Sequence, residues 1–572
     1  MINTIYLPVS RPPPEQEDKM IGPWKDFTNT QLKNMAVYIL GIMFYKFALE
    51  WYNGAFINLA NERFGDAKYT KIGILTGLNY AMQCVGSIIV APLIKKYPTR
   101  SVLSTAVFIF GLISAILLVV DAATDGKMKW NTPNKQTHYG SELIFLTTFV
   151  DAHRLQPGIL TVYALPLWYK QVNPDLHYRL CQLFPIYIIS GVSYGTVELI
   201  RRVIPRDIVG GDVSLLRRMD ATVHILYEVA GTIGAFSSVS LVDKFGYNYS
   251  FFLSPVLFFF AAIAWRFVDN VNTTSPSPQS LEDFENEKPN TGYLFSVASG
   301  FYSFFKASYY GAFLVISHRK FAWLISGYAL ALYGHRYLEN GLAPIFAKQV
   351  LGNASWSQII VGGSNLGELF GAAAVLLTTN VIRTPLPWLR LDALALNIVW
   401  VLPYIAVRRG NVSDAWRIAG IFLPVSFGWA AGDVSLAAYI QATLAKIESS
   451  DSRVSALGAV MAFLYVLYIV VYSILSTVLG KWVDKKLLGF TGAAAATPAK
   501  DALKFIGGVQ FTILCVVVII STFIPKGAFA LNPTDEDFNG DHKNTEKDSN
   551  ADDDLKSDEL KAKVTNESNY AV

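Results

Sequence analysis

The chain is short of charge for its length. Only 16% of its 572 residues are Asp, Glu, Lys or Arg, whereas about a quarter of an average soluble domain is charged. The formal net charge is +4, which gives no basis for binding the phosphate backbone of a nucleic acid. So little charge in so long a chain favours a membrane protein over a soluble one.

Cysteine and the motifs of several enzyme classes are also scarce. Cys84, Cys181 and Cys515 lie in or beside apolar segments and have neither metal-binding nor disulfide spacing. The chain has no Gly-rich phosphate loop followed by Lys-Ser or Lys-Thr, which argues against ATP-driven transport. No nucleophile–base spacing indicates an enzyme, and we expect no cofactor. The proline-rich N-terminus at 11–15 lacks an early apolar core, so no cleavable signal peptide is predicted.

Apolar residues, in contrast, make up 52% of the chain, and aromatic residues 13%. They are grouped into segments of about 20 residues, each long enough to cross a ~30 Å hydrocarbon core. This pattern predicts an all-α integral membrane protein with twelve transmembrane helices. We place the spans at about 34–60, 70–94, 101–121, 180–203, 220–242, 249–268, 320–350, 355–378, 388–407, 414–445, 453–479 and 505–528.

Polar segments divide these spans into two sets of six. Residues 143–168 are apolar enough to span but contain Asp151, His153, Arg154 and two prolines, so we treat them as part of an exposed or re-entrant insertion. The stretch 293–316 is aromatic and amphipathic, which predicts a helix lying along the membrane surface. The predicted domains are a cytosolic tail at 1–33, a six-helix bundle at 34–268 with an insertion at about 122–179, a cytosolic linker at 269–319, a second bundle at 320–530 and an acidic, disordered cytosolic tail at 531–572.

Short sequence echoes relate the two halves. They occur in the same order at corresponding positions, which indicates parallel repeats related by an axis along the membrane normal. The echoes are Asn79, Gln83 and Gly86 with Asn365, Glu368 and Gly371; Gly195-Thr196-Val197-Glu198-Leu199 with Gly432-Asp433-Val434-Ser435-Leu436; and Val242-Asp243-Lys244 with Val483-Asp484-Lys485.

The arrangement of six spans, a long central loop and six further spans resembles the major facilitator superfamily. The segment H-R-Y-L-E-N-G resembles a fungal branch of that superfamily. The loop after span two keeps the basic residues of the family's Gly-x-x-x-Asp-Arg-x-Gly-Arg signature as Lys95, Lys96 and Arg100, although Lys95 stands at the Asp position. Asp243 and Asp484 follow spans five and eleven. The resemblance implies two pseudo-symmetric six-helix bundles, cytosolic termini, gating at these charged turns and a central cavity lined mainly by spans one, four, seven and ten.

Span seven carries the densest group of polar residues. His335, Arg336, Glu339 and Asn340 lie within about one helical turn, and residues four apart share a helix face. Burying an ionisable side chain in a membrane costs roughly 2.5–3.5 kcal/mol each, so such residues usually face a bundle interior or a watery cavity. We therefore expect the working centre of the protein here, with Glu339 as a carboxylate that loads and releases a proton.

Other spans add polar residues to this candidate site. Lys46 and Glu50, and likewise His224 and Glu228, are four apart and can pair, either as neutral locks between helices or as functional groups. Glu198 lies beside Arg201 and is expected to form a structural salt bridge. The further candidates are Asn53 on span one, Asn365 and Glu368 on span eight, and Asp433 on span ten.

These residues predict a secondary active transporter of a small organic solute, coupled to protons, that works by alternating access. We expect a monomer in the plasma membrane, with the vacuolar membrane as the alternative. A second hypothesis is a divalent-metal transporter that uses His224, Glu228, His335, Glu339 and Asp433, because nitrogen and carboxylate ligands suit first-row metals. A third is a transporter-like solute sensor that signals through its tails.

Overall fold

The computed structural model describes residues 27–63, 67–123, 184–209, 213–269, 293–378, 381–382, 384–445 and 456–530. All regular elements in these ranges are helical. Within the described residues, eight segments are long and apolar enough to cross a membrane, which makes the chain an integral membrane protein. They are Asn29–Gly54, Lys68–Val90, Thr99–Ile116, Thr222–Phe245, Leu386–Tyr404, Val412–Leu436, Ala459–Leu487 and Gly492–Ser521. The predicted 143–168 insertion and the acidic tail, on which the sensor hypothesis rests, lie outside the described residues.

Five helices build the first bundle: α1 (Asn29–Arg63), α2 (Lys68–Lys96), α3 (Thr99–Ala123), α4 (Phe184–Val209) and α5 (Val213–Arg266). The helix α5 contains spans five and six as two arms that run in opposite directions along α1. Lys46 and Trp51 of α1 lie against Gly231 and Ser237 of the first arm, so residue numbers rise together and this arm runs parallel to α1. Tyr38 and Tyr45 of α1 lie against Trp265 and Phe258 of the second arm, so residue numbers run oppositely and this arm is antiparallel to α1. Within the described residues, the first bundle therefore has six helical segments that pack side by side.

Helix α6 (Tyr293–Ser317) precedes the second bundle. Gly311 of α6 lies close to the backbone carbonyl of Ala459, and Gly300 lies near Ile88 of α2, so α6 packs along the sides of two transmembrane helices. Tyr302 and Tyr309 remain exposed on its other side. The helix agrees with the one predicted at 293–316, whereas its place along the membrane surface stays a prediction.

The second bundle contains α7 to α12. The segment α7 is a run of short helical pieces from Arg319–Ala322 to Phe346–Leu351. It is followed by α8 (Ser357–Thr378), α9 (Leu386–Ala395, continued to Val401–Tyr404), α10 (Val412–Ala445), α11 (Ala456–Leu487) and α12, which runs from Gly492–Ala495 to Gln510–Ser521.

Buried apolar side chains form one large cluster in each half, as expected for two six-helix bundles. The halves meet along two antiparallel seams. Gly73 and Gly77 of α2 lie against Ser476 and Ser473 of α11, and Phe236 of α5 lies against Gly362 of α8. We call "outer end" the end of the bundle where the α7–α8 and α9–α10 turns meet through the hydrogen bond from Gly410 N to Leu351 O.

The two halves repeat the same internal packing. Gly86 of α2 lies against the carbonyl of Val192 in α4, and Gly371 of α8 lies against the carbonyl of Phe427 in α10. Small residues allow such close approach of transmembrane helices. The sequence echo that contains Gly86 and Gly371 therefore corresponds to equivalent helix crossings in the two halves.

Candidate functional site

The segment α7 is not a regular α-helix around the candidate residues. It contains π-helical turns at Ile325–Leu330, Leu338–Leu342 and Phe346–Leu351. Pro344 contributes to this irregularity, because it lacks an N–H donor and its ring conflicts with the carbonyl one turn earlier. Such π turns are frequent at functional sites. The turn at Leu338–Leu342 carries Glu339 and Asn340, so it sets where both side chains point.

His335 and two glutamates form the buried centre of the site. The Nε2 atom of His335 lies 2.7 Å from Oε1 of Glu368 and 3.5 Å from Oε1 of Glu339. Arg336 Nη1 lies 3.1 Å from Oε2 of Glu339, and Ser364 Oγ donates to Oε1 of Glu339 at 2.7 Å. His335 is thus shared between a carboxylate of its own segment and one of α8, which sequence spacing did not indicate.

Helix α10 packs against His335 and Ser364 of this centre. The ring of His335 stacks on Trp429 with 5.2 Å between centroids and an interplanar angle of 18°. Ser426 Oγ lies 2.6 Å from Ser364 Oγ and extends the hydrogen-bonded chain to α10. The Nδ1 atom of His335 is buried without a hydrogen-bond partner among the described residues. Three helices therefore fix the imidazole in place.

The first bundle supplies a second charged group. Lys46 Nζ and Glu50 Oε1 form an ion pair of 2.5 Å, and both side chains are buried. Gly231 of α5 lies between Lys46 and the amide of Asn365, which brings this pair to the seam with α8. The charges of Glu228 and Glu368 also act on Lys46. Charges from both halves therefore influence one another across the seam.

Two further contacts lie beside these groups. Asn340 Nδ2 donates to the hydroxyl of Tyr80 on α2 at 3.3 Å, which is a direct link between the halves. Arg201 binds Glu198 through Nε at 2.8 Å, and its guanidinium lies over the ring of Tyr227. The expected Glu198–Arg201 salt bridge is present and lies within the first bundle.

The predicted pairing of His224 with Glu228 is wrong. Within the part of the chain that the structure describes, His224 Nε2 and Glu228 Oε2 are both buried without a hydrogen-bond partner. Spacing put both residues on one face of α5, but Glu228 lies where the charges of Glu368 and Lys46 act on it. The charge of Asp433 on α10 acts on His224.

Of the other predicted residues, Arg100, Asp243 and Asp484 make contacts away from this centre. Asn53 is half-buried on α1, and the side chains of Lys95 and Lys96 lie outside the described residues. Arg100 donates to the carbonyl of Val268, within its own bundle. Asp243 and Asp484 lie at the outer end, at the seams between the halves.

Several residues of the site were not predicted. Ser364 and Ser426 have no charge and no sequence pattern that distinguishes them from packing residues. Asp392 of α9 could have been recognised, because it is a carboxylic acid in a predicted span. It is 1% exposed, and neither carboxylate oxygen has a hydrogen-bond partner among the residues described.

One group within the described residues has the composition of a metal site. His335, Glu339 and Glu368 each offer a ligand atom, and these atoms lie within 4.8 Å of one another. One nitrogen and two carboxylate oxygens suit a first-row divalent metal. Arg336 opposes this use, because its guanidinium already binds Glu339.

The sequence matches no protein-family model and no curated protein. Solved structures share the fold. A bacterial homologue of the human drug peptide transporters is 11% identical with a TM-score of 0.52, covering 88% of this chain and 98% of that chain. A point mutant of the nucleoside transporter NupG is 11% identical with a TM-score of 0.51, covering 86% and 100%. Tetrameric PepTSo2 is 10% identical with a TM-score of 0.51, covering 86% and 97%. The fold is therefore of the major-facilitator type.

Proposed function

We propose that this protein is a secondary active transporter that moves a small organic solute by alternating access and couples this movement to protons through the His335–Glu339–Glu368 group. The major-facilitator-type fold supports the transport step, because in that architecture two repeated bundles move around a site near the bilayer midplane. The observation that carries the proposal is the buried imidazole held between two carboxylates from different helices.

The balance of charge supports proton binding. Three carboxylates, Glu228, Glu339 and Glu368, act on one another, and Arg336 is the cation that binds one of them. Lys46 is already paired with Glu50. Buried charges without a partner are costly, so protons on the imidazole or the carboxyl groups lower the cost of keeping this group in the bundle. Histidine is the side chain whose ordinary titration range suits this exchange.

The position of the group supports coupling to conformational change. Glu368 belongs to the second bundle, whereas Glu228 and Lys46 belong to the first, and their charges act on one another across the α5–α8 seam. When the halves move, the distances between these charges change, and so does the preference of the group for a proton. Proton binding and the movement of the halves are then linked.

Aromatic side chains near the group support an organic solute. Trp429 stacks on His335, Tyr80 binds Asn340, and Tyr227 lies beside Lys46. Ligand sites commonly combine apolar and aromatic walls with a few polar groups that orient the ligand. The structural relatives include nucleoside and peptide transporters, whose solutes are of this general kind.

The test compares cells that express the native chain, Glu339→Gln or Asp501→Asn at equal membrane abundance. Asp501 pairs with Lys504 at the surface of α12 and serves as the charge-matched control. We expect an organic metabolite whose cellular level shifts with the native chain and the control but not with Glu339→Gln. If native and empty cells have the same metabolite profile under varied nutrients, transport is refuted.

Coupling is tested separately with the identified solute in liposomes. A pH gradient should drive its accumulation by the native protein, whereas Glu339→Gln should retain solute exchange without gradient-driven accumulation. Equal gradient-driven accumulation by both proteins would show that Glu339 does not couple protons to transport.

A divalent-metal carrier is the second candidate, supported by the ligand spacing of His335, Glu339 and Glu368. Elemental profiling of the same cells separates the two candidates. A shift confined to manganese, iron, zinc or copper, and lost in both Glu339→Gln and Glu368→Gln, would favour the metal over the organic solute.

A further inference from the structure

We propose that the solute is an organic monoanion with an aromatic ring, and that Arg336 binds its carboxylate while tyrosines of both halves surround its ring. This inference rests on the proposed transport function and names the substrate class of that site. Four observations carry it: the exposure of Arg336, its unused donors, the pairing of the neighbouring cations and the surrounding aromatic rings.

Arg336 lies on an open face of a segment in which most side chains are buried. Its side chain is 41% exposed, whereas the side chains of His335 and Glu339 are 1% and 7% exposed. Asn340, four residues after Arg336, is also only partly buried. Residues four apart share a helix face, so α7 presents one polar, accessible face.

This face lies between the two halves of the protein. The charge of Arg336 acts on the phenol groups of Tyr80 in α2 and Tyr194 in α4, which belong to the first bundle, and on that of Tyr468 in α11. Asn340 donates to the Tyr80 hydroxyl across the same gap. The exposed part of Arg336 therefore borders an interior space that both bundles enclose.

The guanidinium of Arg336 has unused hydrogen-bond donors. An arginine side chain carries five N–H groups, and within the described residues the one hydrogen bond of this guanidinium runs from Nη1 to Oε2 of Glu339, at 3.1 Å. The remaining donors are available to a ligand. Guanidinium groups recognise carboxylates through two parallel N–H···O bonds, so this side chain suits an anionic group.

The pairing of the neighbouring cations favours a single negative charge on the ligand. Lys46 is buried in its ion pair with Glu50, and Arg201 binds Glu198 through two of its nitrogen atoms. Both cations are therefore neutralised within their own helices. A dianion such as a phosphate monoester needs a second free cation, whereas Arg336 alone can balance a carboxylate.

Tyrosine rings form the wall beside this cation. Tyr80 contacts Tyr468 edge-on, with 5.7 Å between the ring centroids, and Tyr465 lies 5.7 Å from Tyr468. Tyr80, Tyr194 and Tyr465 are only half-buried, so each retains surface that a ligand can cover. Aromatic rings pack favourably on one another in offset or edge-to-face arrangements. An aromatic ring on the solute therefore matches this wall.

Asn340 marks one boundary of the site. A cavity of about 30 Å³ between α2, α7 and α11 is lined by Asn340, Gly341 and Tyr472. This volume is far below the ~150 Å³ of a cavity that binds benzene. An aromatic ring therefore fits on the Arg336 side of Asn340 and not beyond it.

The test measures ligand binding by the purified full chain in lipid nanodiscs and needs no transport. Isothermal titration calorimetry compares naphthoate with four analogues: naphthylmethanol is neutral, naphthylmethylamine is cationic, naphthyl phosphate is dianionic and cyclohexanecarboxylate has no aromatic ring. We expect naphthoate to bind about tenfold more tightly than each analogue. Equal affinity for naphthoate and naphthylmethanol, or no saturable binding of naphthoate, would overturn the proposal.

Variants then assign the binding to the named residues. Arg336→Gln should weaken naphthoate binding about tenfold or more, because a charge-assisted pair of hydrogen bonds is lost. Arg417→Gln removes a cation that pairs with Asp414 at the start of α10 and should leave the affinity unchanged. Naphthoate binding by Arg336→Gln that equals that of the native chain would refute the role of Arg336.

Two further variants keep the test decisive if Arg336→Gln does not fold. Arg336→Lys keeps the charge but loses the planar fork, so it should weaken naphthoate binding by a smaller factor. Tyr465→Leu should weaken the binding of naphthoate but not that of cyclohexanecarboxylate. Unchanged naphthoate affinity in both variants would contradict the proposed site.

The outcome is separable from that of the transport experiment. If the cellular profile shifts in a neutral or cationic metabolite, the substrate class is wrong and transport stands. If naphthoate binds through Arg336 and no metabolite shifts in cells, the anion site stands and transport is refuted.

Discussion

His335 is the side chain through which α7, α8 and α10 meet. Removing it by His335→Gln leaves Glu368 buried without its imidazole partner, and breaking a buried pair in this way costs about 3 kcal/mol. We expect Glu368→Gln to lower stability as well, and the double variant to lose less than the sum, with a coupling of roughly 1–3 kcal/mol. Thermal unfolding of the four proteins in nanodiscs measures this cycle. Strictly additive losses would contradict a direct His335–Glu368 interaction.

At this scale, sequence spacing predicted some contacts and not others. Lys46 with Glu50 and Glu198 with Arg201 follow from positions three or four apart on one helix, and both pairs are present. His224 and Glu228 have the same spacing but do not pair; the charges that act on Glu228 come from Lys46 on α1 and from Glu368 across the seam. Contacts between helices depend on packing, which spacing within one span does not contain.

At the scale of the element, the crossing of α8 and α10 can be tested at a glycine. A Cβ atom on Gly367 would lie 2.2 Å from the carbonyl oxygen of Leu423, so Gly367→Ala forces the helices apart and should cost about 3 kcal/mol. Gly420 is exposed on α10, and a Cβ atom there would have no described neighbour within 4 Å. Gly420→Ala should therefore be neutral or stabilising by up to about 1 kcal/mol.

Thermal unfolding of both variants, beside the parent protein, separates close packing from a general effect of glycine replacement. Equal unfolding midpoints for Gly367→Ala and Gly420→Ala would mean that the α8–α10 approach tolerates a methyl group and that this crossing is looser than the contact at Gly367 indicates.

Hydropathy predicted the existence of most elements better than their form. The span predicted at 320–350 corresponds to α7, but its three π-helical turns have no signature in apolar periodicity. Helix α11 continues to Leu487, beyond the predicted end at 479, because the apolar run stops before Lys481, Lys485 and Lys486 whereas the helix does not. Charged residues at a membrane boundary can belong to the helix, since long side chains extend towards water.

At the scale of the whole molecule, the sequence echoes predicted the twofold repeat because the same packing and capping requirements recur in both halves. Gly86 and Gly371 occupy equivalent crossings, and Asp243 and Asp484 each accept hydrogen bonds from the other half. The meeting of charges at the α5–α8 seam could not be predicted in this way, because it joins residues of unlike halves. The contacts at this seam are therefore seen in the structure and not in the sequence repeat.

Substitutions of Lys46 and Glu50 test whether the charges at this seam affect transport as well as stability. Lys46→Met leaves Glu50 buried without a cation and should lower stability by about 3 kcal/mol, whereas Lys46→Met with Glu50→Gln should recover most of it. Transport should not recover, because the charge of Lys46 also acts on Glu228 in its own bundle and on Glu368 across the seam. Unfolding midpoints and transport of the identified solute, measured on the same preparations, separate these effects. Native transport by the double variant would show that the pair is only a structural lock within α1.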